Sequence, residues 1–133
     1  MATDERKILV VDDEPDVVTY LEMVLNDAGY KTVTASNGRE GFTMAQSELP
    51  DLICLDITMP EESGIRCYRN LREDASLKDT PVVLVTAVTG YGGDPEPFKQ
   101  FMSTRDQVPP PNGFFSKPID REVFLEKIKE LLA

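Results

Sequence analysis

The 133-residue sequence contains no histidine. That absence removes Ser-His-Asp and Cys-His nucleophilic systems and any His-ligated zinc site. Cysteine is scarce too. Cys54 and Cys67 are the two present, too few for a disulfide framework. Cys54 lies inside the apolar run LICL and reads as a small core residue. A reduced, cytosolic compartment is therefore expected. Apolar runs are short, and none approaches the roughly 20 residues that a spanning helix needs. The opening MATDERK is charged and lacks the apolar stretch of a signal peptide, so a soluble, non-secreted protein is expected. Positive charge is outnumbered, with 14 Lys and Arg against 24 Asp and Glu and a net charge of −10. Such a surface repels phosphate backbones and disfavours direct nucleic-acid binding. It favours cations and basic partner surfaces.

What is present is a globular composition, 41% hydrophobic and 29% charged. The length suits a single domain over 1–133 with a sizeable core. Short apolar runs alternate with helical spacing. Ile8 to Val11 is the first run, followed by Asp12-Asp13 and by Pro15 where a helix would start. Val17, Leu21, Val24 and Ala28 mark one helix face, and Gly29 is a natural stop. KTVTA, Lys31 to Ala35, predicts a second strand. Asn37 with Glu40 forms a capping-box pattern ahead of Phe42, Ala45 and Leu49, and Pro50 ends that helix. Leu52 to Leu55 is the third run, ending at Asp56. Ile65, Tyr68, Leu71 and Ala75 outline the next helix, with Gly64 easing a turn before it. Val82 to Val85 ends at Thr86-Ala87, and Gly113 to Ser116 ends at Lys117-Pro118. Asp120 caps a last helix carrying Phe124, Ile128 and Leu131. The stretch of about 88–112 is irregular and rich in Gly and Pro.

Strand then helix, five times over, is the α/β signature. Near-continuous Val/Ile/Leu strands imply a parallel sheet covered by helices on both faces, an open, doubly wound, five-stranded sheet. In such sheets, ligands bind outside the carboxyl ends of the strands. Four of the five apolar runs end in polar residues: Asp12-Asp13, Asp56, Thr86 and Lys117. In an order of 2-1-3-4-5 the second strand, ending at Ala35-Ser36, would lie outside that group. Carboxylates held together repel, and a hard divalent ion such as Mg²⁺ is the natural compensation. Each residue also has a plainer reading. Asp12, Asp13, Glu14 and Asp16 suit a helix N-terminus, and Glu14 and Asp16 are assigned there. Lys117 suits a solvated surface, Thr86 a strand and Phe114 a core. The helix-capping reading does not account for Asp56.

With these residues in order, the sequence resembles the bacterial receiver domain of two-component signalling. The matching motifs are Asp12-Asp13 after ILVV, Asp56 before ITMP, Thr86-Ala87 after VVLV, and Lys117-Pro118 after GFFS. The resemblance spans Lys7 to Leu132. It implies a flavodoxin-like (βα)₅ fold and a cytoplasmic signalling protein rather than an enzyme in the ordinary sense. It implies that Asp56 accepts a phosphoryl group from a phosphohistidine on a sensor histidine kinase or a histidine phosphotransfer protein. Mg²⁺ would be held by Asp13, Asp56 and the backbone carbonyl of Thr58, with Asp12 acting through a water. Lys117 and Thr86 would contact the phosphoryl group, and Phe114 would be the switch aromatic. The segment between Ala87 and Phe114 is longer than the family's usual one, so a remodelled output face towards an unknown downstream protein is expected. Two other functions fit less well. An aspartyl-nucleophile phosphohydrolase would carry a D-x-D pattern after its first strand, and a receiver-like module that is never phosphorylated would not need a complete acidic site.

Overall fold

The computed structural model describes residues 6–57, 63–86, 112–116 and 119–132, without the side chains of residues 63, 65, 86, 114 and 116. Five parallel strands form one sheet: β1 (Lys7–Val11), β2 (Lys31–Ala35), β3 (Leu52–Asp56), β4 (Val82–Thr86) and β5 (Gly113–Ser116). Their order is β2-β1-β3-β4-β5, as the sequence predicts. Among the described residues the helices are α1 (Pro15–Asp27), α2 (Gly38–Glu48), α3 (Ser63–Glu73) and α4 (Arg121–Leu131). None of them is long and apolar enough to cross a membrane.

The strand residues sort by the two-residue period of a pleated backbone. Leu9, Val11, Ile53, Leu55, Val82 and Leu84 face one way, into a core with Ala45, Tyr68, Leu71 and Leu77. Ile8, Val10, Leu52, Cys54 and Val83 face the other way, onto Leu21, Val24, Leu25, Phe124 and Ile128. Helices α2 and α3 therefore cover one face, and α1 and α4 the other. Phe115 meets Phe124 edge-on in the second layer, with ring centroids 5.4 Å apart. β2 lies at the sheet edge and is less buried, which suits its alternating Thr32 and Thr34.

Three apolar positions fall elsewhere than the spacing predicts, each at a helix end. Ala28 is exposed as the cap residue after α1, and Leu25 takes its place in the core. Leu49 caps α2 in the left-handed conformation, with φ 47°, and is 58% exposed. Ala75 lies beyond the end of α3 and is exposed. The helical period holds only while the backbone stays helical, so a residue past the last turn leaves the face. Gly29 stops α1 as expected, at φ 99°. The Asn37 cap accepts from the Glu40 N–H at 2.8 Å. The Glu40 carboxylate reaches one residue earlier than the usual box, to the N–H and hydroxyl of Ser36.

Cys54 and Cys67 belong to opposite layers, so the sheet separates them. Both thiols are buried. Burial pushes Cys67 up to about 12 and raises Cys54 as well, which keeps both protonated and unreactive.

A buried arginine ties the amino-terminal ends of β4 and β5 to α3. Arg72 donates from Nη1 to the carbonyls of Lys78 (3.0 Å) and Thr80 (2.7 Å), and from Nη2 to Asn112 Oδ1 (2.9 Å). Its Nε donates to the Tyr68 hydroxyl at 3.2 Å, and its guanidinium lies 5.1 Å from that ring's centroid. Asn112 Oδ1 also accepts from the Val82 N–H, while the Asn112 N–H donates back to the Val82 carbonyl. A planar fork is needed to serve so many acceptors at once. Arg72→Lys keeps the charge but not the fork. It is expected to lower unfolding stability by about 2 kcal/mol, read from the midpoint of urea denaturation.

Candidate functional site

Register sets the site. β1 pairs in parallel with β3, with Val10 opposite Cys54 and Val11 opposite Leu55. One residue further along each strand stand Asp12 and Asp56. Both are buried, at 2% relative exposure. The Asp12 N–H still bonds the Ala35 carbonyl of β2, and the Ile57 N–H bonds the Val85 carbonyl of β4. Backbone pairing to the flanking strands β2 and β4 thus holds both acidic positions in place. The chain then turns at Asp13-Glu14 into α1, and the Glu14 N–H donates to Asp12 Oδ1 at 2.9 Å.

The result is a group of four carboxylates. Asp12, Asp13, Glu14 and Asp56 each offer an oxygen, all within 4.8 Å of one another. Asp12 and Asp56 form a buried floor, and Asp13 and Glu14 an exposed rim. Four such groups packed together repel at this range. An all-oxygen, carboxylate-rich donor set is that of a hard divalent cation, not of a soft metal that prefers sulfur or imidazole. The donor set therefore fits a cation such as Mg²⁺. A cleft of about 280 Å³ opens beside the group, lined by Asp12, Asp13, Thr19, Ser36 and Glu40 among others.

The structure brings together Asp12, Asp13 and Asp56 of the predicted residues. It also adds Glu14, which sequence reasoning gave to the helix N-terminus. Glu14 is the backbone cap of α1, but its side chain makes no capping hydrogen bond. No spacing rule distinguishes an acidic side chain that caps from one that folds back. Thr86 ends β4, and its backbone lies opposite Ser116, the residue before Lys117. Thr58, Lys117, the side chains of Thr86 and Phe114, and residues 88–111 fall outside the described residues.

Gly64 was read as easing a turn, and it does something else. It is the second residue of α3, and a Cβ there would run into the Asp56 carbonyl oxygen and lie 2.7 Å from the Ile57 Cα. Glycine is required because the first turn of α3 rests on the backbone of the Asp56 strand end.

Comparison with known proteins agrees with this geometry. A family model described as the response regulator receiver domain matches residues 8–129. The chain belongs to the response regulator receiver domain family. It is 33% identical over 130 residues to protein PilH of Pseudomonas aeruginosa, covering 96% of this chain and 98% of that protein. It is 34% identical over 125 residues to the response regulator PleD of Caulobacter vibrioides, of which it spans 26%. Receiver domains thus occur both alone and within longer chains among these relatives. The chemotaxis protein CheY4 of Vibrio cholerae superposes with a TM-score of 0.80 at 27% identity, covering 97% of this chain and all of that one. A response regulator from Chloroflexus aurantiacus gives a TM-score of 0.82 at 26% identity, covering 97% and 98%. The flavodoxin-like architecture predicted from the sequence is the architecture of these receivers. As a receiver domain, the chain is a part of two-component signalling, in which histidine kinases and downstream proteins are the partners in general.

Gly64→Ala tests the close approach of α3. The added methyl group should force α3 off the Asp56 backbone and cost about 1–3 kcal/mol of stability. Urea unfolding measures the cost. An unchanged midpoint would mean that α3 has slack at this contact.

Proposed function

We propose that the chain is one receiver domain over residues 1–133, which takes a phosphoryl group onto Asp56 and so switches a protein-binding surface. The observation that supports this reading is the meeting of Asp12 and Asp13 from the end of β1 with Asp56 from the end of β3, within 4.8 Å. On this reading Asp13 and Asp56, with the carbonyl of Thr58, would hold Mg²⁺, and Asp12 would act through a water. When bound, the cation neutralises charge on the phosphoryl oxygens.

The chain's own part is nucleophilic. A carboxylate oxygen of Asp56 attacks phosphorus in line. An O–P bond forms as the P–N bond to the donor's imidazole breaks, and the imidazole leaves with the electron pair. The lack of histidine in this sequence accords with a donor on another protein, a sensor histidine kinase or a histidine phosphotransfer protein. Lys117 supplies a positive point charge for a phosphoryl oxygen, and Thr86 donates its hydroxyl to another. Movement of Thr86 together with Phe114 carries the change to the surface, by shifting an equilibrium between two existing arrangements. The acyl phosphate is later hydrolysed, so the domain resets itself without acting as an enzyme on an external substrate. A cytoplasmic setting follows from the kinase donor. The output is a contact with a downstream protein. Direct DNA or RNA binding is disfavoured at a net charge of −10.

The decisive experiment has two arms. A small acyl phosphate with MgCl₂ should label the chain with one phosphoryl group, and beryllofluoride should shift the amide NMR spectrum around the strand ends. Asp56→Asn should abolish both, as should EDTA. Labelling that persists in Asp56→Asn, or catalytic turnover of generic phosphoesters, would sink the proposal.

A further inference from the structure

The last strand is short and is held from one side. Among the described strands, β5 pairs with β4 alone, at the edge of the sheet. It has four residues, Gly113–Ser116. The backbone ladder of such a strand re-forms after a slip of one residue, so the ladder by itself pins the register weakly. Asn112, directly before the strand, supplies what the ladder lacks. Its N–H donates to the Val82 carbonyl at 2.8 Å, and its Oδ1 accepts from the Val82 N–H at 3.0 Å. One residue thus engages both backbone groups of Val82, the first residue of β4. The same Oδ1 accepts from Arg72 Nη2 at 2.9 Å, and Arg72 is itself held by the carbonyls of Lys78 and Thr80. Neither neighbour in the chain is able to take this place. Pro111 has no N–H, and Gly113 has no side chain. A slip in either direction therefore costs the Val82 N–H and the buried Arg72 guanidinium a shared acceptor.

We propose that Asn112 is a positioning residue for Lys117: by pinning β5 to Val82 and Arg72, it sets which residue follows the strand at the carboxyl end of the sheet. The inference rests on the reading of Lys117 as the cation that contacts the phosphoryl group. From the Asn112 pin the ladder runs from Val83 opposite Gly113 to Thr86 opposite Ser116, and Lys117 is the next residue in the chain. A slip of one residue would displace the end of β5 by about 3.3 Å and turn each side chain to the other face. Asn112 and Arg72 act at the amino ends of β4 and β5, whereas the acidic group stands at the carboxyl ends of β1 and β3. The pin therefore touches none of the carboxylates, and its effect on the reaction must pass along β5.

A double-mutant cycle on the full chain tests this, read as the rate of labelling by a small acyl phosphate in saturating MgCl₂. Lys117→Ala should slow labelling by about 100-fold. Asn112→Ala should slow it by about tenfold, the cost of a misplaced group. Asn112→Asp keeps an acceptor for both donors and should label within about twofold of the native rate. In the Lys117→Ala background, Asn112→Ala should cost nothing further, because the residue that it positions is gone. A merely structural role would not produce that loss of additivity. Far-UV circular dichroism checks that each variant is folded. Should Asn112→Ala not fold, Asn112→Ser takes its place in the cycle, with a hydroxyl for one of the two donors and a smaller loss of about threefold. The inference is overturned if the loss persists undiminished in the Lys117→Ala background, or if the Asn112 variants label at the native rate while Lys117→Ala does not. Native labelling by Lys117→Ala itself would sink the reading of Lys117, and the inference with it, a result distinct from those two.

Discussion

The parallel pairing of β1 with β3 is the constraint on which the rest depends. In that register Val11 lies opposite Leu55, and the next residue on each strand is an aspartate. No side-chain interaction is needed to bring Asp12 and Asp56 together, because the backbone ladder does it. The ladder in turn is held by burial. Every residue of β3 is buried, as are Ile8 to Val11 of β1. A one-residue slip would move each apolar side chain to the opposite face and pull one aspartate into the core. The hydrophobic pattern that makes the sheet therefore also protects the geometry of the acidic group, and the site inherits the rigidity of the core.

The two ends of the sheet carry different polar chemistry. At the carboxyl ends, acidic side chains gather with two of them exposed. At the amino ends of β4 and β5, one cation is buried among carbonyls. Arg72 has its acceptors on the β4 approach and at Asn112, and its charge is stabilised by oriented dipoles and the Tyr68 ring. Asn112 is where the chain rejoins the described sheet after residues 87–111. The Arg72 clamp fixes the start of β5, and β5 then runs in register with β4 to Ser116. The length of the intervening segment can thus change while the register of the last strand is kept. On the proposed reading that matters for Lys117, which follows Ser116 directly in the chain.

Much of this was legible in the sequence, for physical reasons. The apolar runs marked strands because fully buried parallel strands need apolar residues in succession. The strand order followed from the chain alternation and the motif resemblance together. Asp12, Asp13 and Asp56 were legible because each follows an apolar run, where a charge is out of keeping with the core. The helix ends were less legible, as Ala28, Leu49 and Ala75 show, since periodicity does not report where the backbone leaves the helix. Gly64 was read for the freedom of its own backbone, whereas its role lies in a contact with a strand eight residues earlier in the chain. The Arg72 network could not be foreseen at all: one of its partners, Asn112, is 40 residues away, and nothing in the sequence sets Arg72 apart from Arg66 and Arg69 on the same helix.

Glu14 shows the same limit at the site itself. An acidic residue after Asp12-Asp13 and before a proline fits a helix start so well that its sequence context assigns it there. What separates the two roles is the direction of the side chain, and the backbone from which it starts is held by Asp12. Asp12 Oδ1 accepts the Glu14 N–H, so a short turn is closed by the first aspartate before the helix begins. That turn uses an oxygen of one carboxylate and holds the backbone of the next acidic residue beside it. The same bond that fixes Asp12 within the buried floor of the site thus fixes where Glu14 starts. Floor and rim are mechanically joined, and a substitution at Asp12 is therefore a change to the placement of Glu14 as well as the loss of one carboxylate.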